Sequence, residues 1–159
     1  MGVPVEQIRD AVMKFTAVEH RIEYVDTVDG VDYYNDSKGT NPDAAIKGIS
    51  AMTKPTILLG GGYDKKSTYD EWIDAFHGKV RYLIVMGATA QAIADTATNH
   101  GFHNVIFADT FEEAMNIAKE KARPEDAVLL SPACASWGMF KNYEDRGKVF
   151  KEIVRKFKG

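Results

Sequence analysis

The chain has a single cysteine, Cys134, so it can form neither an internal disulfide nor a C-x-x-C metal pair, and a reducing cytoplasm is the expected setting. Outside any Cys and His framework, such a thiol is expected to be packed rather than nucleophilic. No run approaches the roughly 18 apolar residues of a membrane span, and the start, MGVPVEQIRD, has no basic segment leading into an apolar one. Neither charge sign is in excess: 20 Lys and Arg face 23 Asp and Glu, for a formal net charge of −3. Without a basic stripe or an acidic tail, nucleic acid and membrane surfaces are poor partners. The histidines His20, His77, His100 and His103 lack metal-ligand spacing with acidic or thiol partners. They are expected at the surface or at helix ends, with no metal held by this chain alone.

A nucleotide-gripping P-loop is also missing. The stretch ILLGGGYDKKST, residues 57–68, has the strand, glycines, lysines and hydroxyls of one, but the second glycine should fall at Lys65 counting from Gly60, or at Lys66 counting from Gly61. The anion that this loop could meet is therefore not held in the P-loop manner.

What is present is a regular alternation. VEQIRDAVMKF places Val5, Ile8, Val12 and Met13 on one helical face, and two β-rich runs flank Asp29-Gly30, a strong hairpin signal. Asn41 and Pro42 are a cap and first-turn pair before the helix DAAIKGISAM. Strands at 56–59, 81–86, 104–108 and 127–130 then alternate with helices at 69–76, 89–99, 110–122 and 142–157, Trp72 and Ile73 falling in a helix core. Apolar runs without polar alternation suit strands covered on both faces. The expected fold is α/β: a Rossmann-like three-layer domain, its mostly parallel sheet of about six strands carrying an antiparallel N-terminal hairpin strand, with helices on both faces. At 159 residues it is one core.

In such sheets ligands sit beyond the carboxyl ends of the strands. Three of the loops there are rich in anion-binding groups: NDSKGTN (35–41), GGGYDKKS (60–67) and SPACASWGMFKN (131–142). Lys38 and Thr40 precede a helix start, Lys65 adds a second charge, the glycines permit close backbone approach, and Ser136 offers a hydroxyl. Together they could hold a small molecule with more than one carboxylate.

The stretches HRIEYV, NDSKGTN, LLGGGYDK and above all SPACASWGMFKNYEDRG resemble the C-terminal domain of the Mur ligases, and within them the branch that adds D-glutamate; the likeness runs from about His20 to the end. The resemblance implies a linker helix at 1–19 leading from an ATPase domain, then an amino-acid-binding domain at 20–159. It implies a monomeric cytoplasmic enzyme of peptidoglycan synthesis that uses ATP and Mg²⁺ to join D-glutamate to UDP-N-acetylmuramoyl-L-alanine, with the P-loop in the ATPase domain and this stretch inactive alone. By the same resemblance Thr40 and Lys65 would hold the α-carboxylate of D-glutamate, and Ser136 with the backbone at Trp137 and Tyr143 its side-chain carboxylate. Arg21 and Asp36 would face adenosine, and Lys38 the phosphate and the reacting centre, as the one catalytic residue. Gly138 stands where the family often has an acidic residue, and Gly39 where alanine is common. The Asp-Asn-Pro-Arg tetrapeptide of relatives that add a diamino acid is absent, which favours glutamate. A free-standing glutamate- or anion-binding module, and a ligase of the folylpolyglutamate type, are the alternatives.

Overall fold

The structure, a computed structural model, describes residues 18–63 and 66–159. The helix expected at 5–15 and Lys65 lie outside the described residues. β1 (Glu23–Val28) and β2 (Val31–Asn35) form the antiparallel hairpin. Its two-residue turn has Asp29 at φ 52° and Gly30 at φ 80°, both left-handed, the combination that matches strand twist and that Asp-Gly tolerates best.

The other strands are β3 (Thr56–Gly61), β4 (Val80–Met86), β5 (Val105–Phe107) and β6 (Ala127–Leu130). They join in one sheet of order β1-β2-β6-β3-β4-β5, parallel everywhere except the hairpin. The helices are α1 (Pro42–Ala51), α2 (Asp70–Asp74), α3 (Ala90–Asn99), α4 (Phe111–Lys121) and α5 (Tyr143–Lys158). Adjacent residues of one strand serve opposite cores: Leu58 packs with Ile49, Trp72, Leu83 and Ile93 on one face, while Ile57 and Leu59 pack with Ile84, Met115 and Phe150 on the other. The period-two alternation of a strand therefore feeds two apolar layers at once.

Three helices begin at side-chain caps. Asn41 accepts from the Ala44 N–H, Thr110 from Glu113 and Asn142 from Asp145. The helix expected over 69–76 is shorter, because after Asp74 the chain turns through His77 (φ 43°) and Gly78 (φ 72°) to enter β4. Among the described residues no helix is long and apolar enough to cross a membrane.

β6 lies between β2 and β3, although α1 carries the chain from β2 to β3. That helix packs on one face of the sheet, whereas α5, leaving β6, packs back over β2 on the other. The loops after β2 and β6 thus diverge to opposite faces, which opens a crevice at the carboxyl ends of the strands.

Candidate functional site

The loop after β2 is bound on every side. Asp36 donates its N–H to the Leu130 carbonyl (2.7 Å) and accepts at Oδ1 from the Ile22 N–H (3.2 Å) and at Oδ2 from the Ser131 hydroxyl (2.7 Å). Lys38 donates its N–H to the His20 carbonyl (2.9 Å), and the Gly39 carbonyl accepts from the Ala133 N–H (2.9 Å). A Cβ on Gly39 would stand 2.8 Å from Ser131 Oγ and 2.9 Å from Asp36 Oδ2; one on Gly48 of α1 would meet the same two atoms at 2.8 and 2.7 Å. Two glycines thus let the loop and α1 close on the Asp36–Ser131 pair. Burial pushes the Asp36 carboxyl up to about 6, against hydrogen bonds from Ser131 and Ile22 and the charges of Arg21 and Arg146.

Gly39 separates two hollows. On one side a cavity of about 90 Å³ is lined by Arg21, Ile22, Asp36, Lys38, Ala44 and Lys47, which sets three cationic side chains around one carboxyl. On the other a cleft of about 260 Å³ is lined by Thr40, Ala135, Ser136, Trp137, Asn142, Tyr143 and Glu144. The three sites expected for nucleotide contact, Arg21, Asp36 and Lys38, fall together in the first. Four of the five expected for the amino acid, Thr40, Ser136, Trp137 and Tyr143, fall together in the second. The fifth, Lys65, is outside the described residues.

The glycine loop after β3 joins the same crevice. Gly61 donates its N–H to the Pro132 carbonyl and Tyr63 to that of Ala135, both at 2.9 Å, and the Gly62 N–H meets Thr89 Oγ1 at 3.0 Å. A Cβ on Gly62 (φ 152°) would lie 2.5 Å from the Ala135 carbonyl oxygen, so the two loops touch backbone to backbone. Cys134 is packed, its Sγ 3.3 Å from Thr89 Oγ1 and 3.5 Å from the Tyr69 hydroxyl.

Several residues that organise the site were not singled out in the sequence. Arg146 of α5 is buried and donates from Nε to Ser37 Oγ (2.9 Å), from Nη1 to the Cys134 carbonyl (3.1 Å) and from Nη2 to the Ser37 carbonyl (2.7 Å). Ser37 Oγ in turn donates to the Tyr143 carbonyl at 2.6 Å. One guanidinium thereby ties together the loops after β2 and β6 and the start of α5. Burial pulls it down to about 10, so it stays charged at neutral pH. Its one legible signal is its place inside YEDRG; nothing local shows that it turns inward. Lys47 lies one helical turn beyond Ala44 on α1, and only the fold brings both beside Lys38.

His20 corrects an expectation. His77 and His103 are exposed and exposed His100 ends α3, but His20 is buried. Its ring fills the space above Gly147, where a Cβ would come within 2.2 Å of Nδ1, and Asn35 Nδ2 lies 2.9 Å from that same nitrogen. Burial lowers its pKa, with the Glu19 carboxylate opposing. Packing against a glycine on a helix over a hundred residues away overrode the polarity from which a surface position was expected.

The fold and the paired hollows define an α/β domain with a crevice at the switch point of its sheet. The chain belongs to the Mur ligase family: its glutamate ligase domain matches residues 20–134. A UDP-N-acetylmuramoylalanine–D-glutamate ligase of Lachnospira eligens is 59% identical over 96% of this chain and 34% of its own length. The enzyme of that name from Lachnoclostridium phytofermentans is 56% identical over 99% of this chain and 35% of its own. The chain thus spans about a third of the length of the curated relatives it matches. Among solved structures, a murein peptide ligase from Psychrobacter arcticus superposes with a TM-score of 0.66 at 11% identity, covering 99% of this chain and 34% of that one. A bifunctional folylpolyglutamate synthase/dihydrofolate synthase from Yersinia pestis gives 0.62 at 15% identity, over 97% and 35%. These two likenesses carry the fold alone.

Proposed function

We propose that this chain is the acceptor-holding part of a cytoplasmic, ATP-dependent ligase that joins D-glutamate to UDP-N-acetylmuramoyl-L-alanine in peptidoglycan precursor synthesis. The observation that carries the reading is the pair of hollows on either side of Gly39, one rimmed by cations and one by hydroxyls and a helix start, in a chain whose 59% identical relative bears that name. Folylpolyglutamate synthases share the fold at far lower identity, which makes a folate substrate the weaker reading.

In the cleft Thr40, together with Lys65 outside the described residues, holds the α-carboxylate of D-glutamate. Ser136 and the backbone N–H groups of Trp137 and Tyr143 hold its side-chain carboxylate. The first N–H groups of a helix have no partner within it, so the start of α5 suits an anion. Hydrogen bonds to a charged group fix orientation as well as affinity, and the acceptor amine is then directed toward the first hollow. There Lys38 and Lys47 offer charge to phosphate. Arg21 and Asp36 face the adenosine, Asp36 also accepting from the Ile22 N–H.

ATP activates the alanyl carboxylate for attack by the amine. A related fold from Yersinia pestis was solved with AMPPNP and a Mn ion, which supports a nucleotide and a divalent cation in the complete enzyme. Following the family resemblance, we assign Mg²⁺ to the rest of the ligase. Residues 20–159 form the acceptor domain, residues 1–19 link it to the ATPase portion, and the complete enzyme works as a monomer.

The test joins this chain to the upstream two thirds of the Lachnospira eligens relative. The chimera is expected to consume ATP only with D-glutamate and UDP-N-acetylmuramoyl-L-alanine both present, and the chain alone to form no product. Product with another acceptor in place of D-glutamate would overturn the reading.

A further inference from the structure

The first turns of α5 are seated on the chain just before β1. Tyr143, Gly147 and Lys151 follow one another at four-residue spacing and share one side of the helix. Lys151 meets Glu19 at 2.8 Å and Glu23 at 3.3 Å, and the missing Cβ of Gly147 leaves room for the His20 ring. That ring meets the Tyr143 ring edge to face, centroids 6.0 Å apart at 84°. The backbone of the same residue serves the other hollow, because the His20 carbonyl accepts the Lys38 N–H at 2.9 Å. One buried histidine thus touches an element of each hollow.

The hydrogen bonds around the ring fix where its proton sits. Asn35 Oδ1 accepts the Ser37 N–H at 3.1 Å, so Nδ2 is the donor end, and it lies 3.0 Å from Glu23 Oε1 and 2.9 Å from His20 Nδ1. Nδ1 must then accept, which puts the proton of the neutral ring on Nε2. Nε2 is buried and has no hydrogen-bond partner among the described residues, the Glu19 carboxylate stopping short at 3.6 Å. A second proton would set an N–H on Nδ1 against the Asn35 amino group, so the ring or the amide has to move, and Tyr143 packs on that ring. Burial, with Lys151 of α5, favours the neutral ring; Glu19 beside it, Glu23 of β1 and Glu144 of α5 favour the charged one, and burial prevails.

We propose that His20 is a positioning residue for the acceptor: its neutral ring, locked by Asn35 and seated over Gly147, holds the start of α5 where the Tyr143 N–H meets the ligand's side-chain carboxylate, and a charged ring releases it. This rests on the reading of the cleft as the D-glutamate site. A side-chain substitution keeps the carbonyl bond to Lys38, so the effect falls on KM for D-glutamate more than on kcat.

The experiment joins two measurements. Ring-nitrogen NMR of the unsubstituted chain, which needs no variant to fold, is expected to find the neutral His20 ring protonated on Nε2, with the Tyr143 amide following the midpoint of the ring. Steady-state kinetics of the complete chimeric ligase on both sides of that midpoint then compare the parent with His20→Asn. Asparagine keeps an acceptor for the Asn35 amino group and tolerates the left-handed backbone of residue 20 (φ 64°), but it has no ring and takes no charge. In the parent, KM for D-glutamate is expected to climb as pH falls through the midpoint. In His20→Asn it starts roughly three- to tenfold higher, the worth of an edge-to-face pair, and stays level with pH. The Asp36 carboxyl, at about 6, is also set to titrate on the acid side, but His20→Asn retains it. A slope that survives in the variant therefore overturns the proposal. So do a ring protonated on Nδ1, a Tyr143 amide blind to the ring's titration, or equal rises in KM for ATP and D-glutamate. Failure of the underlying reading shows separately, as an unsubstituted chimera that makes no product with D-glutamate.

Discussion

The two ends of the sheet treat charge differently. At the amino ends of the strands each buried carboxylate meets a cation of the same domain: Asp32 takes Lys54 Nζ at 2.8 Å, and Asp126 takes Arg81. At the carboxyl ends buried Asp36 is met by a hydroxyl and an N–H, and buried Arg146 spends its donors on carbonyls and on Ser37. The cations Arg21, Lys38 and Lys47 are then left to line an open cavity. Buried Lys151 is ion-paired near this end too, with Glu19 at 2.8 Å and Glu23 at 3.3 Å, so what sets the carboxyl ends apart is that Asp36 and Arg146 rest on neutral partners beside a cavity lined by Arg21, Lys38 and Lys47.

Arg146→Met should break this contrast most severely. It strands the carbonyls of Ser37 and Cys134 and frees the loops of the crevice, for an expected loss of about 3 kcal/mol or more, read by urea unfolding. Gly39→Ala comes next, because its Cβ would press on Ser131 Oγ and Asp36 Oδ2. Its expected cost is about 1–3 kcal/mol, and combining it with Ser131→Ala should cost less than the sum of the two. Lys54→Met, at the opposite end, should lower stability of the chain by about 1 kcal/mol without touching kcat of the chimeric ligase, whereas Lys38→Met should leave stability within about 0.5 kcal/mol and abolish ligation by the chimera. A Lys38 variant that unfolds, or a Lys54 variant that loses activity, would erase the distinction between the ends.

The smallest effect is in pH. The Asp36 pKa rises from 3.8 unfolded to about 6 folded, so the folded state binds the extra proton between these values. The associated stability is fully present below 3.8 and lost as pH rises through about 6. His20 works in the opposite sense: its folded pKa lies below 6.5, so its contribution is present above 6.5 and lost as pH falls. Asp36→Asn should remove the first component and leave a melting temperature that, between pH 4 and 8, rises more steeply with pH than that of the parent. An unchanged profile would mean that Asp36 is already ionised when folded.

Much of the fold was legible because it is locally encoded. Asp29-Gly30 announced the hairpin, Asn41-Pro42 the start of α1, and the unbroken apolar runs 57–59 and 127–130 the central strands. The candidate site was legible as three loops on one edge, since strand ends and glycines are local features too. The bolts between those loops were not. Arg146 and Ser37 are 109 residues apart, and Asp36 and Ser131 are 95 apart. In sequence alone a buried arginine on the inner face of α5 looks like any surface charge, and His20 looks like any polar residue before a strand. Such pairings appear only once β6 is known to lie between β2 and β3.

The most direct test of the central claim is a backbone amide NMR titration of the chain with D-glutamate and, separately, L-glutamate. A site built to receive an amino acid should give saturable shifts at Thr40, Ser136 and Tyr143 for the D isomer, with quiet amides at Asp32 and Lys54; even a millimolar dissociation constant, about −4 kcal/mol, is visible this way. Saturable shifts confined to the Arg21, Lys38 and Lys47 side, or equal shifts at both ends of the sheet, would contradict the account.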